Sequence, residues 1–128
     1  MAWTTLVPFV LAAPVIMVTA AQEGPLKRTT LQTVDFPPGY EIVSVFAELQ
    51  SGDCTGRHTH PGVESAYVLE GEAVVKIDGK PDVIVKVGQP LLFELRVVHN
   101  VCNISGRPFK ALAHYIIEKG KPLASPAP

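Results

Sequence analysis

Four residues of metal-binding type, His58, His60, Glu64 and His99, are spaced so that they can surround a single metal ion. The chain has only four histidines, and three of them fall in this group. Because side chains alternate between faces along a strand, His58 and His60 are predicted to point the same way. A short corner at residues 61–63 can then return the Glu64 carboxylate toward the same point. Neutral imidazoles with one carboxylate favour one divalent transition metal, which is iron, nickel, manganese, copper or zinc.

The number of these ligands predicts a reactive centre rather than a structural one. Four protein ligands on a metal that prefers five or six leave positions for water, oxygen or substrate, whereas a structural site is filled by the protein. Such a centre can polarise a carbonyl or enolate oxygen, lower the pKa of bound water, or pass electrons to oxygen.

The residues around the first histidines form a longer pattern. His58 follows Gly52 after five residues, and Gly71 follows Glu64 after six. The stretch from Gly52 to Gly71 reads GDCTGRHTHPGVESAYVLEG. It resembles the first motif of the cupin superfamily at every defining position.

A second cupin motif is matched in part. Gly88, His99 and Asn103 stand at its spacing, but Glu94 and Arg96 occupy the places where the motif has Pro and Gly. This departure leaves the metal ligands intact and affects the turn that must deliver His99. The resemblance covers roughly residues 40–118.

The resemblance to cupins implies a fold, a set of partners and a group of reactions. Cupins are jelly rolls, so the chain is identified as a single small all-β jelly-roll barrel. Related folds commonly dimerise, and about 107 residues is small for such a barrel, so a homodimer is expected. Small cupins with this ligand set resemble quercetinase-type dioxygenases. That implies an oxygenase acting on a small oxygenated organic molecule.

Fold alone does not choose the reaction, and two alternatives stay open. One is a non-catalytic cupin that binds or senses a small molecule. The other is a cupin isomerase, lyase or decarboxylase.

Length and charge limit the other function classes. A chain of 128 residues allows one domain. Its 11 Lys and Arg against 12 Asp and Glu leave no basic patch, so nucleic acid is not an expected partner. A small-molecule ligand or substrate is expected instead.

The first 21 residues are apolar and carry no charged side chain, and small residues at positions 18–21 suit a cleavage site. This is typical of a secretory signal peptide, which predicts an exported protein, periplasmic or secreted, with no membrane contact after cleavage. The run is also nearly long enough to span a bilayer, so an uncleaved membrane anchor is the competing interpretation. An unprocessed cytoplasmic chain is a third. Cleavage would remove the only tryptophan, Trp3.

Export would place Cys54 and Cys102 where disulfides persist. Antiparallel pairing of strands 56–60 and 99–103 would bring the two residues near one another. The alternation of side chains along a strand argues against a disulfide between them. Cys102 is three positions from His99, so the two side chains should point to opposite faces of their strand. A bridge stays open if Cys54 lies in a loop, but two free, small core residues is the favoured interpretation.

The rest of the chain divides into short β segments separated by turn residues. Residues 22–34 are predicted to be a linker and first strand, residues 35–119 the barrel, and residues 120–128 an irregular Pro-rich tail. The linker is expected to end at residue 30. The predicted strands of the barrel cover residues 41–49, 56–60, 65–70, 72–77, 82–87, 91–95, 99–103 and 109–117.

Other side chains near the predicted site have two possible roles. Arg96 and Asn100 flank the last metal ligand and would meet an anionic substrate if they faced inward, but a solvated Arg and a turn Asn are favoured. His114 is expected to be a cross-strand packing partner rather than a proton shuttle. Tyr67 and Tyr115 are expected to be core residues first and substrate contacts second. Without tryptophan, the cavity is expected to be modest and mostly aliphatic.

Overall fold

A computed structural model describes residues 24–128, and within this range every regular element is a β-strand. The ten strands are β1 Lys27–Asp35, β2 Tyr40–Leu49, β3 His58–Thr59, β4 Val63–Glu70, β5 Glu72–Ile77, β6 Val83–Lys86, β7 Pro90–Phe93, β8 His99–Asn103, β9 Phe109–Glu118 and β10 Ser125–Pro126. A helix suited to crossing a membrane does not occur in the described range. The predicted signal peptide or anchor, residues 1–21, lies outside it.

The strands form two antiparallel five-stranded sheets. The first has the order β1-β2-β9-β4-β7, and the second has the order β10-β3-β8-β5-β6. Sequential strands therefore cross between the sheets, as in a jelly roll. This confirms the predicted all-β jelly-roll fold.

The core lies between the sheets and follows the alternation of the strands. Every second residue of β9 is buried, namely Phe109, Ala111, Ala113, Tyr115 and Ile117. His114 therefore faces the outer side of the first sheet, where its Nδ1 lies 2.9 Å from Ser44 Oγ. This agrees with the predicted cross-strand packing role and places His114 away from the barrel interior.

Tyr67 does not have its predicted core position. On β4 the buried residues are Glu64, Ala66 and Val68, and Tyr67 has the opposite parity, so its side chain is 49% exposed. The expectation was wrong because alternation defines two faces of a strand without saying which face is covered.

The first strand begins earlier than predicted. Lys27–Asp35 pairs with β2 on both sides of a register shift at Leu31, so residues 27–30 are part of the sheet and not of a linker. Eight of its nine residues are exposed, since β1 is an edge strand, and the ninth, Arg28, is half-buried. The polar composition of this segment reflects its edge position.

The Pro-rich tail is also ordered into the fold. Ser125–Pro126 pairs with β3, Ala124 is buried, and Leu123 packs against the core. The tail is fixed further by Arg57, whose Nε donates to Pro128 O. The prediction of an irregular tail was wrong because a two-residue strand and two apolar side chains anchor it.

Cys54 and Cys102 form a disulfide, which corrects the favoured interpretation of two free cysteines. Cys54 pairs with Cys102 as an isolated bridge, four residues before β3 begins, and their Cα atoms are 4.0 Å apart. Because Cys54 lies outside β3, the alternation of side chains along that strand does not fix the direction of its side chain. The argument from alternation against the disulfide therefore did not apply.

Candidate metal centre

The second sheet brings the three predicted histidine ligands together. His58 on β3 lies directly opposite His99 on β8 in the antiparallel register, and His60 follows β3 immediately. Their ring centroids are 4.2–5.0 Å apart, and one ring nitrogen from each histidine lies within 4.8 Å of the others. The three imidazoles therefore converge on one point inside the barrel.

Glu64 reaches the same point from the opposite sheet. The chain leaves β3, turns at Gly62 and enters β4, where Glu64 lies between Phe93 of β7 and Tyr115 of β9. A Cβ atom on Gly62 would lie 1.9 Å from Ile116 O, so the turn can pack against β9 only with glycine. Because of this close approach, the chain passes from the second sheet to the first within four residues, between the end of β3 and the start of β4.

Each histidine is held by a backbone carbonyl at Nδ1. The acceptors are Gly56 O for His58 at 2.8 Å, Leu123 O for His60 at 2.7 Å and Val97 O for His99 at 2.9 Å. Because a carbonyl oxygen can only accept, each Nδ1 must carry the hydrogen. In the neutral ring, the lone pair is then on Nε2, which is the nitrogen free to bind a metal.

Two of the Nε2 atoms, those of His60 and His99, lack a hydrogen-bond partner in the described part of the chain. Both atoms are fully buried. His60 Nε2 lies only 2.6 Å from Glu64 Oε2, but the two groups are not aligned as donor and acceptor. His99 Nε2 lies 4.0 Å from the same oxygen. A shared metal ion would satisfy all of these atoms, so the residues present fit such an ion.

Tyr115 fixes the other oxygen of Glu64. Its hydroxyl donates to Glu64 Oε1 at 3.2 Å, which leaves Oε2 directed at the histidines. Burial and the neighbouring Glu64 carboxylate raise the pKa of the Tyr115 hydroxyl, so it remains a hydrogen-bond donor at neutral pH. The predicted core role of Tyr115 is therefore combined with a role in orienting Glu64.

The protonation states also suit metal binding. Burial lowers the pKa of the His99 imidazole to about 4, although its hydrogen bond to Val97 opposes the shift. Burial also lowers the pKa of His58. Burial alone would raise the pKa of Glu64, but His60 and His99 beside it hold this pKa below its ordinary value. At pH 7 the site therefore offers lone pairs from neutral His58 and His99 and a carboxylate from Glu64.

The atypical turn of the second motif still delivers His99. Arg96 adopts a positive φ of 59°, the left-handed conformation that glycine favours, and its backbone N–H donates to His60 O. Its side chain is exposed and lines a groove on the outer surface. Asn100 contacts Thr55 Oγ1 through its Oδ1. The favoured interpretation of Arg96 as a solvated side chain therefore agrees with the structure, whereas Asn100 lies within strand β8 and not in a turn.

Asn103 has a structural role in this strand. It is buried, and its side-chain amide donates to Leu49 O and Arg107 O. Its Oδ1 accepts hydrogen bonds from the backbone and side chain of Ser105. The motif asparagine thus fixes the loop after β8 and is not a metal ligand.

A cavity of about 40 Å³ is lined by three of the four predicted ligands, His58, Glu64 and His99. The lining is less aliphatic than predicted, because seven of its fifteen residues are aliphatic and the others are aromatic, polar or charged, including Arg28. Sequence reasoning missed this residue. Arg28 lies opposite the inward-facing Ala47 in the β1–β2 register, and nothing in its local sequence distinguishes it from an exposed edge arginine.

The C-terminal tail contributes to the site through Leu123. Removing residues 122–128 should lower metal affinity by about 10- to 100-fold, because His60 would lose the carbonyl that fixes its tautomer and ring orientation. Competition of the purified protein with a chromophoric chelator for Zn²⁺ measures this change. The matched control lacks residues 127–128 only and keeps Leu123 and β10. Equal affinities of the two truncated forms would contradict the role of Leu123.

The family model described as the cupin domain matches residues 45–115. None of the curated proteins matches the chain. Among solved structures, an uncharacterized conserved protein with a double-stranded β-helix domain from Klebsiella pneumoniae has a TM-score of 0.65 and 19% identity. That alignment covers 82% of this chain and 86% of the other.

Two enzymes are also similar in fold. The DMSP lyase DddQ from Ruegeria pomeroyi has a TM-score of 0.60 and 21% identity, over 67% of this chain and 43% of that one. The oxalate decarboxylase of Bacillus subtilis, described with Mn(II) centres, has a TM-score of 0.59 and 21% identity, over 66% of this chain and 23% of that one. The chain thus spans less than half the length of either enzyme. Since the cupin model matches more than half of the chain, and the fold agrees with it, this chain belongs to the cupin family.

Proposed function

We propose that this protein binds one divalent transition metal through His58, His60, Glu64 and His99 and acts as a dioxygenase on a small oxygenated organic molecule. A single observation carries the metal assignment. The Nε2 atoms of His60 and His99 are buried without a hydrogen bond among the described residues, while their Nδ1 atoms are fixed by carbonyls. Leaving such atoms unpaired is costly, and a metal ion removes that cost.

The charge of the site supports reaction with an anion. Three neutral imidazoles and one carboxylate would leave a divalent ion with a net positive charge. When bound, the metal would supply Lewis acidity and, if it is redox-active, electron transfer to oxygen. The chain itself would orient Glu64 through Tyr115 and keep bulk water from the buried histidines.

The cavity supports a small substrate. One water needs about 10–15 Å³ of such space, so a cavity of about 40 Å³ takes a molecule of only a few non-hydrogen atoms. A dioxygenase transfers both atoms of O₂ to its substrate and needs no external reductant, because the substrate supplies all the electrons. Oxygen consumption therefore has to equal substrate consumption.

A second candidate is a lyase or decarboxylase of the same fold. It is supported by the two structural neighbours of TM-score 0.60 and 0.59, one named a lyase and the other a decarboxylase. A non-catalytic module that binds or senses a small molecule is the remaining alternative. These possibilities differ in whether oxygen and substrate are consumed.

Metal analysis and oxygen uptake of protein from its native host test the proposal. We expect about one iron, nickel, manganese or copper ion per chain, and oxygen uptake equal to substrate loss in a panel of two- to four-carbon hydroxy and keto acids. Substrate loss without oxygen uptake would favour the lyase or decarboxylase. Bound zinc with no turnover would favour the binding module. Absence of stoichiometric metal would overturn the proposal altogether.

Export and dimerisation are further parts of the proposal. The Cys54–Cys102 disulfide supports an oxidising compartment. Exposed apolar side chains on the outer face of the first sheet, such as Tyr67 and Leu92, support a homodimer. The intact mass of the native protein tests cleavage of residues 1–21. A sedimentation measurement tests the dimer.

A further inference from the structure

We infer that Arg28 makes the barrel cavity a site for small carboxylate anions, held between the guanidinium and the metal centre. This inference rests on the proposed function and deepens it by naming the substrate class. Arg28 is the one residue of β1 that is not exposed, and it lines the cavity together with His58, Glu64 and His99.

The position of Arg28 follows from the register of the edge strand. Arg28 lies opposite Ala47 of β2, which is buried and lines the same cavity. The adjacent Lys27 lies opposite Glu48 and forms an ion pair with it at 3.4 Å on the outer face. The strand therefore directs one positive charge outward, where a carboxylate meets it, and the next one inward.

The inward charge has no such partner. Arg28 Nε is buried without a hydrogen bond among residues 24–128, and no carboxylate of this range lies within 4.0 Å of the guanidinium. Its one polar neighbour from the described chain is the Tyr115 hydroxyl, which carries no charge to balance it. A buried guanidinium nitrogen normally has an acceptor, which indicates that a ligand supplies the acceptor for the Nε of this half-buried arginine.

A carboxylate fits these constraints better than a neutral molecule. The planar fork of a guanidinium matches a carboxylate in two parallel hydrogen bonds. The small cavity admits only an anion of a few atoms, and Arg28 is the single Lys or Arg of a lining whose other polar members are Thr55, Tyr115 and three of the predicted metal ligands. One end of the ligand would face Arg28 and the other the predicted metal ligands.

Binding of acetate and oxalate, measured by calorimetry on the purified protein with its native metal content, tests the inference. Acetamide, which has the shape of acetate without its charge, is the ligand control. We expect Arg28→Gln to weaken acetate and oxalate binding at least about tenfold and Arg28→Lys to weaken it less. Lys27→Gln removes the same charge from the same strand on the outer face, and it should change binding less than about twofold.

Several outcomes would overturn the inference. These are unchanged binding in Arg28→Gln, equal losses in Lys27→Gln and Arg28→Gln, acetamide binding as tightly as acetate, or no binding of either anion to the wild type. Parallel metal analysis separates this result from the proposed function. If the native protein proves to contain no metal but still binds acetate through Arg28, the metal assignment fails and this inference stands. If metal and oxygen turnover are present but anion binding ignores Arg28, only this inference fails.

Discussion

Replacing His99 with Ala should remove the bound metal, whereas replacing His114 with Ala should leave it in place. Both residues are histidines on strands of the barrel, but His99 is 1% exposed and faces the other ligands, and His114 faces the outer side next to Ser44. Loss of a residue that only orients a ligand costs about 10- to 100-fold in affinity, so loss of a ligand should cost more than about 100-fold.

Metal content per chain after exhaustive dialysis, measured by mass spectrometry, gives the result. His99 stacks on Phe93 with ring centroids 3.7 Å apart, so its removal also leaves a gap in the core. Circular dichroism and the thermal unfolding midpoint must therefore show that the variant is folded. His58→Ala, at a site that is 7% exposed, serves as a second ligand variant. Full metal content in folded forms of both would contradict the assignment.

The histidine cluster could be predicted from the sequence because it depends on a single rule, the two-residue alternation of side chains along a strand. Alternation predicts that His58 and His60 point the same way, and they do so although β3 ends at Thr59 and His60 follows it. The spacing to His99 allows an antiparallel partner, which is the register that the structure has. The convergence of Glu64 depended on the corner at Gly62, where only a residue without a side chain fits against Ile116. The structure places Glu64 Oε2 near His60 Nε2, and its binding to a metal stays a prediction.

The errors at Arg28 and Leu123 concern an edge strand and the C-terminal end of the fold, and the error at Tyr67 concerns the choice between two faces of an interior strand. In each case the local composition does not say which neighbour covers the residue. Tyr67 shows what signal was available, because its parity is opposite to that of Glu64 and an inward Glu64 requires an outward Tyr67. For Arg28 and the tail, no comparable signal exists in the sequence, since their positions depend on pairing with β2 and β3.

Removing the disulfide should destabilise the protein by about 4 kcal/mol without removing the metal from the folded form. The bond joins residues 48 positions apart, and a closed loop of that length restricts the unfolded chain strongly. All four predicted ligands lie inside this loop. The bond therefore holds together the segment from β3 to β8 that forms the site, although neither cysteine is a ligand.

The comparison is between the wild type and the variant with both Cys54→Ala and Cys102→Ala, unfolded in urea at equal metal loading. We expect the thermal midpoint of the variant to fall by more than about 10 °C. Dithiothreitol should lower wild-type stability toward that of the variant and leave the variant unchanged, which separates loss of the bond from loss of side-chain packing. Free energies of unfolding within about 1 kcal/mol of each other would contradict the stabilising role. Loss of metal from the folded variant would instead mean that the loop, besides the carbonyl contacts at Nδ1, fixes the histidines.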